Sequence, residues 1–285
     1  MSQKAPLIKL LSGKSIPAVA LGVYETPSGE AAKVVEYALS QGYRHIDSAA
    51  AYHNEQQVGQ GILNFLEKTP NVKREDIFYT TKIKERDQGY ENATRAIKHS
   101  LELVKGLEYI DLVLVHSPLS SREKRLGTWK ALQEAVDAGL IKGSIGVSNF
   151  GIHHLKELLS WDGLKYKPSI NQIELSPWLQ RTELVQFCKD NGIAVEAYSP
   201  LTRGEKLDDP KLISLAKKYN KSPAQILIKW SLQKGFIPLP KSVHKDRIKS
   251  NIDVFDFELT PEEIDTLGDK NEYFWTEWDP TTAPL

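Results

Sequence analysis

Three titratable side chains stand where short apolar runs of the sequence stop, and a fourth follows close behind one of them. Asp47 closes Tyr43–Asp47, Lys82 closes IFYTTK and His116 closes DLVLVH, while Tyr52 follows Asp47 by five residues. A phenol, an ammonium, a carboxylate and an imidazole meeting in one cavity suit proton transfer to a carbonyl oxygen. A tyrosine, with an ordinary pKa of about 10, becomes a usable acid near neutrality when its phenolate is stabilised. Lys82 would do that, and Asp47 would offset the cost of burying the ammonium. His116 would hydrogen-bond the substrate oxygen and orient it. Taken singly, each has an ordinary role: Asp47 as a turn or cap residue, Tyr52 as packing, Lys82 as a solvated strand end, His116 as a structural histidine. Taken together on three consecutive strands they point to one site.

The elements that must position them repeat. An opening hairpin is expected from Leu7–Leu11 and Ser15–Ala20 around Ser12-Gly13-Lys14. Strands then alternate with helices, the first strand at Pro17–Leu21 and the last at Phe236–Leu239. Glycines stop the helices at Gly42, Gly106, Gly139, Gly192 and Gly235, and Ser222-Pro223 opens one of them. The strands are short and apolar without polar alternation, as parallel strands covered on both faces are. Strict alternation allows an open doubly wound sheet or a closed barrel. Eight units in this length favour the α/β fold of a (β/α)8 TIM barrel, its N-terminal hairpin capping one end and residues 1–285 forming a single domain. The fold places catalytic groups at the carboxyl ends of strands, where Asp47, Lys82, His116, Ser148, Asn149, Gln172, Tyr198, Ser199, Lys241 and Ser242 fall.

Composition narrows the class. The chain has 285 residues, 40% of them hydrophobic, and 37 basic against 37 acidic residues. That balance favours neither nucleic acid nor an anionic membrane surface. One cysteine, Cys188, permits no internal disulfide and fits a reducing compartment. No signal peptide or membrane-length apolar run is visible, so a cytoplasmic protein is expected. His153-His154 are adjacent, which suits no shared metal on a helix, and no metal site is expected.

From about Leu7 onward the chain resembles the aldo-keto reductase superfamily. The matching stretches are Gly42–Asp47 with Tyr52 and Asn54-Glu55, the Lys82 strand, Leu114–Pro118, Gly143–Phe150, Asn171–Glu174, Ala197–Leu201 and Pro240–Val243 with Arg247 and Asn251. The resemblance implies hydride transfer from a nicotinamide to an aldehyde or ketone, with Tyr52 as proton donor, Lys82 and Asp47 tuning it and His116 orienting the carbonyl. No strand–GxGxxG–helix fingerprint is present. Instead, the resemblance assigns Ser148, Asn149 and Gln172 to the carboxamide, Tyr198 to nicotinamide stacking, and Ser199 and Leu201 to the pyrophosphate. It assigns Lys241, Ser242, Arg247 and Asn251 to the adenosine end, with His244 in the same segment. Two cations and a serine around a helix start suit a phosphate dianion, so NADPH is expected over NADH. The resemblance also leans to a monomer.

The chain departs from the family pattern around the substrate. Ser117 and Tyr24 stand where many members have tryptophan, and the loop from Ser117 to Thr128 and the C-terminal tail are short. A widened pocket is expected, with Tyr24, Ser117 and Trp275 lining it. His-Ser-Pro and the Phe274–Pro280 tail resemble the fungal branch that reduces α-keto amides, keto lactones and conjugated diketones. Three other readings compete: a general aldehyde or aldose reductase, a cofactor-binding regulatory subunit with little turnover, and a Schiff-base aldolase using Lys82, against which Asp47 argues.

Overall fold

In the computed structural model, which describes residues 5–285, the chain opens with the hairpin. Strands β1 (Leu7–Lys9) and β2 (Ser15–Pro17) pair antiparallel. The turn closes by Leu10 N–H donating to Lys14 O at 2.7 Å, with Gly13 at φ +82°, a conformation that favours glycine.

Eight parallel strands follow in chain order around one sheet. They are β3 (Leu21–Gly22), β4 (His45–Asp47), β5 (Phe78–Ile83), β6 (Ile110–Val115), β7 (Ile141–Ser148), β8 (Ile170–Glu174), β9 (Ala194–Tyr198) and β10 (Ile237–Pro238). The sheet curls until its ends meet. Gly22 bridges Lys241 in parallel, Ala20 N–H donates to Pro238 O at 3.1 Å, and Gly22 N–H donates to Pro240 O at 3.0 Å. A side chain at Gly22 would put its Cβ 3.3 Å from Leu239 O, so the two backbones approach closely across this seam. The barrel expected from the alternating pattern is therefore present. Its first strand is shorter than the Pro17–Leu21 reading, because Ala18 N–H goes to Pro6 O beside the hairpin rather than to a barrel neighbour.

Helices α1 (Ser28–Ser40), α2 (Glu55–Lys68), α3 (Tyr90–Leu103), α4 (Arg122–Asp137), α5 (Ile152–Leu159) and α6 (Thr182–Asp190) each return the chain to the next strand. The pair α7 (Pro210–Tyr219) and α8 (Pro223–Gln233) precedes β10, and α9 (Lys245–Ile252) and α10 (Pro261–Thr266) complete the series. Their limits follow local chemistry. Ser222 accepts from Gln225 N–H and Gln225 reaches back to Ser222 N–H, a reciprocal cap that sets where α8 begins. Gly42, at φ +106°, ends α1.

Two kinds of core result. Apolar residues on the outer face of the strands pack against the helices in one continuous cluster. Inside the barrel, Phe78, Ile170 and Ile237, each the first residue of its strand, pack with Leu10 and Ile16 of the hairpin in a second cluster that Leu112 and Leu114 extend along β6. The hairpin thus closes the end opposite the strand carboxyl ends. Among the described residues, no helix is long and apolar enough to cross a membrane.

Candidate active site

The carboxyl ends of β4, β5 and β6 bring Asp47, Lys82 and His116 together, and a single 3-10 turn at Ala50–Tyr52 swings Tyr52 back over them. Lys82 Nζ donates to Asp47 Oδ1 at 2.7 Å, to Ser48 O at 2.9 Å and to Tyr52 Oη at 3.2 Å. An ammonium has three protons, so all are committed. Tyr52 Oη accepts one of them and keeps its own proton for another partner. Lys82 is 1% exposed, so it lies beneath Tyr52 rather than in the open mouth that its strand-end position suggested.

Electrostatics follow from this burial. Burial alone would lower the Lys82 pKa, but Asp47 and Tyr52 outweigh it and raise it, so Lys82 stays an ammonium. Burial raises the Tyr52 pKa; Lys82 pulls it down and Asp47 pushes it up, and the net direction is upward. The phenol therefore holds its proton through the neutral range. His116 is lowered to about 3, by burial first and then by Lys82, and is a neutral imidazole. Its Nδ1 is buried without a partner, which favours the single proton on Nε2. The Tyr52 and His116 rings meet edge-on with centroids 6.0 Å apart.

Beneath these residues the upper barrel interior is polar. Gln172 Nε2 donates to Asp47 Oδ2 at 2.8 Å and to Glu196 Oε2 at 2.7 Å. Glu196 is fully buried, and burial, then the nearby Asp47, raises its pKa to about 8. His45 Nε2 meets Thr80 Oγ1 at 3.0 Å and reaches Glu196 Oε1 only at 3.7 Å. Burial lowers the His45 pKa to about 3.

A cavity of about 900 Å³ opens above this layer and runs across the barrel mouth. Asp47, Tyr52 and His116 line one end. Along it lie Ser148, Asn149, Gln172, Tyr198, Ser199 and Leu201, and at the far end Lys241, Ser242, His244, Arg247 and Asn251. Asn149, in the left-handed region at φ +62°, donates to His116 O at 3.0 Å and accepts from Tyr198 Oη at 2.7 Å. That one amide ties the His116 end to the middle of the cavity. At the far end the first turn of α9 has no side-chain cap. Among the described residues, no carboxylate lies within ion-pair distance of Lys241 or Arg247, and both are exposed. Free N–H groups with unpaired cations make an anion site.

Three features of the substrate end differ from the sequence reading. Tyr24 lines the cavity, its ring 5.2 Å from that of Tyr52, but Ser117 and Trp275 do not. Ser117 is buried and gives its hydroxyl to Glu85 Oε1 at 2.6 Å. Trp275 is turned out, 44% exposed, because the tail is pinned on either side of it: Phe274 N–H donates to Trp178 O, and Thr276 N–H donates to Glu174 Oε1. Trp278 enters the cavity instead, edge-on to His116 at 6.5 Å, and restores aromatic wall to a pocket expected to lack it. The wall also includes a clasp that no local pattern signals. Arg203 pairs with Glu25 at 3.0 Å and Glu277 at 2.6 Å, and Glu277 accepts from Tyr24 Oη at 3.1 Å. Glu196 did carry a signal, since it is the one charged residue in the strand AVEAY.

Comparison with known proteins agrees with the geometry. Residues 18–272 match the model of the aldo/keto reductase family. The chain belongs to the aldo-keto reductase family. It is 48% identical over 277 residues to an uncharacterized oxidoreductase of Saccharomyces cerevisiae, covering 97% of this chain and 98% of the relative. It is 44% identical to the glyoxal reductase of Bacillus subtilis over 266 residues, 93% of this chain and 92% of that one. Among solved structures it resembles an aldo-keto reductase of Bombyx mori in complex with NADP, with TM-score 0.85, 41% identity and coverage of 92% and 91%. This aldo-keto reductase is accordingly an oxidoreductase on a (β/α)8 barrel.

Proposed function

We propose that this protein reduces aldehydes and ketones to alcohols with NADPH, and that its substrates are compounds with adjacent carbonyls: α-dicarbonyls, α-keto amides or keto lactones. One observation carries the chemistry. Lys82 spends all three protons on Asp47, Ser48 and Tyr52, leaving the Tyr52 proton available to a carbonyl oxygen in the cavity. Tyr52 gives that proton to the oxygen as negative charge develops on it. Lys82, already bonded to Tyr52 Oη, stabilises the phenolate left behind. Neutral His116 holds the same oxygen through Nε2 and sets the carbonyl's orientation.

The far end of the cavity fits the cofactor. Lys241 and Arg247, unpaired beside the uncapped start of α9 with Ser242 between them, would hold an adenosine phosphate. Asn251 would hold the adenosine end, Ser199 and Leu201 the pyrophosphate, Tyr198 the ring face, and Ser148, Asn149 and Gln172 the carboxamide. NADPH, when bound, supplies the hydride. The identity of the adjacent carbonyl rests on two supports: a neighbouring carbonyl makes a ketone a better hydride acceptor, and one relative is a glyoxal reductase.

Steady-state oxidation of NADPH and NADH with a keto lactone, an aromatic diketone, a simple aldehyde and an aldose tests both levels. Turnover with NADPH, highest on the dicarbonyls, is expected. Preference for the aldose or simple aldehyde would remove the substrate reading and keep the reaction. Tight NADPH binding without turnover on any carbonyl would leave a cofactor-binding regulatory role.

A further inference from the structure

The interior of the barrel contains a buried carboxyl that the reaction above does not use. Glu196 is a carboxyl with no exposure at all, in a place where its equivalents toward the hairpin end are leucine and isoleucine. Burying a carboxyl is costly unless its oxygens are well satisfied. Here they are not. Oε1 finds no hydrogen-bond partner, and the nearest cation-forming group, His45 Nε2, stands 3.7 Å away and is already engaged by Thr80. The one good bond Glu196 makes is to the side-chain amide of Gln172. A poorly satisfied buried group with a single good contact adds little to stability, and that contact is where its effect must be sought.

The contact has a definite geometric consequence. A glutamine amide has two N–H donors and one oxygen acceptor, and which end points where is set by its neighbours. Asp47 Oδ2, whose carboxylate is paired with the Lys82 ammonium, takes one N–H of Gln172 at 2.8 Å. That alone leaves the amide free to pivot about the Asp47 contact. Glu196 Oε2 takes the other N–H at 2.7 Å. With both donors held from below, the Gln172 amide can neither flip nor swing, and Oε1 is its remaining polar atom. Among the described residues none donates a hydrogen bond to Oε1, and Gln172 lines the cavity. Gln172 therefore offers the cavity an acceptor and no donor.

We propose that Glu196 is a positioning residue for the nicotinamide half of the cofactor: by holding the second N–H of Gln172, it fixes Oε1 as an acceptor aimed at the amide N–H of the carboxamide. The proposal rests on the cofactor placement given above. Its effect is confined to one end of a long cavity. The adenosine phosphate end, at Lys241 and Arg247, shares no contact with Glu196.

That confinement supplies the test. Binding of NADP+ and of 2′,5′-ADP, which lacks the nicotinamide, is measured without substrate by titration calorimetry on wild type, E196M and E196Q. E196M keeps the bulk and removes the acceptor, leaving a buried N–H unpaired and Gln172 free to turn. The NADP+ dissociation constant is expected to rise about tenfold, while that of 2′,5′-ADP stays the same. E196Q can still accept through its amide oxygen and should restore NADP+ binding. Equal weakening of both nucleotides would show a merely structural role and overturn the proposal, as would an E196M protein that binds NADP+ like wild type. If E196M does not fold, the wild type still decides. The Gln172 side-chain amide protons, assigned by ¹⁵N labelling and their absence in Q172M, should exchange with D2O far more slowly than those of exposed glutamines. Fast exchange would overturn the proposal. A wild type that binds 2′,5′-ADP but not NADP+ would count against this inference, whereas one that binds neither would strike the cofactor reading itself.

Discussion

The two ends of the barrel interior are built on opposite rules. Toward the hairpin, Leu10, Ile16, Phe78, Leu112, Ile170 and Ile237 fill the space with hydrocarbon. Toward the strand carboxyl ends, the same cylinder holds His45, Asp47, Thr80, Lys82, Gln172 and Glu196, all buried and all polar. His45 marks the border, edge-on to the Phe78 ring at 5.0 Å below and bonded to Thr80 beside it. The lower half gains from packing, which is non-directional and tolerant of small changes. The upper half gains little net stability from its hydrogen bonds. What it gains is direction: the donors of Lys82 and Gln172 are committed, so that one phenol proton, one imidazole nitrogen and one amide oxygen are left facing the cavity. Stability and chemistry are thus stacked in one barrel rather than mixed.

The sharpest way to break the comparison is to change a group in each half and read both activity and stability. Tyr52→Phe removes the proposed proton donor from a site that otherwise remains intact. The kcat/KM for carbonyl reduction should fall by about 10² to 10⁴-fold, with NADP+ affinity and melting temperature close to wild type; stopped-flow NADPH oxidation checks it. Lys82→Met should damage both properties. It strands the buried Asp47 carboxylate, and a loss of about 3–5 kcal/mol in urea unfolding is expected, part of which Asp47→Asn in the same chain should recover. Ile170→Ala belongs to the lower half, at the first position of β8. It should cost about 2–5 kcal/mol of unfolding free energy while kcat at low temperature stays within a few-fold of wild type. A collapse of kcat in that variant would mean that the two halves are not separable.

The smallest effect concerns pH. Glu196 holds its proton in the folded protein up to about 8, whereas a free glutamate releases it at about 4.3. Between those values the folded chain binds the extra proton. The stabilisation associated with that proton is complete below the unfolded value and is lost as pH rises through the folded one. Wild type should therefore lose more stability than E196Q on going from pH 5 to pH 8, as read from denaturant midpoints. His116 works in the other sense. Its value near 3 lies below that of a free histidine, so it withdraws stability as pH falls from about 6.5.

The barrel and its principal site residues were legible because strand–helix alternation fixes which residues reach the mouth. Asp47, Lys82 and His116 are strand-end residues, and order along the chain becomes order around the sheet. The cavity's far end was legible for the same reason, since Lys241 and Ser242 follow the last strand. Trp278 was not, because the tail's course depends on Glu174 and Trp178 catching its backbone, and sequence spacing gives no preference between Trp275 and Trp278. The Arg203 clasp joins three loops distant in sequence and has no local signature. Glu196 lies between these cases: a carboxylate in an apolar strand is visible, but strands covered on both faces do not reveal which way it points.

The seam between Gly22 and Lys241 joins the first barrel strand to the segment after the last. Few contacts in the chain span so much sequence, and closing so long a loop is entropically unfavourable until the other strands are in register. The seam should then be among the last contacts to form as the chain folds. Lys241 and Ser242 lie on it, so a nucleotide held there would grip only the finished barrel, slowing its reopening and hiding the polar interior from proteases.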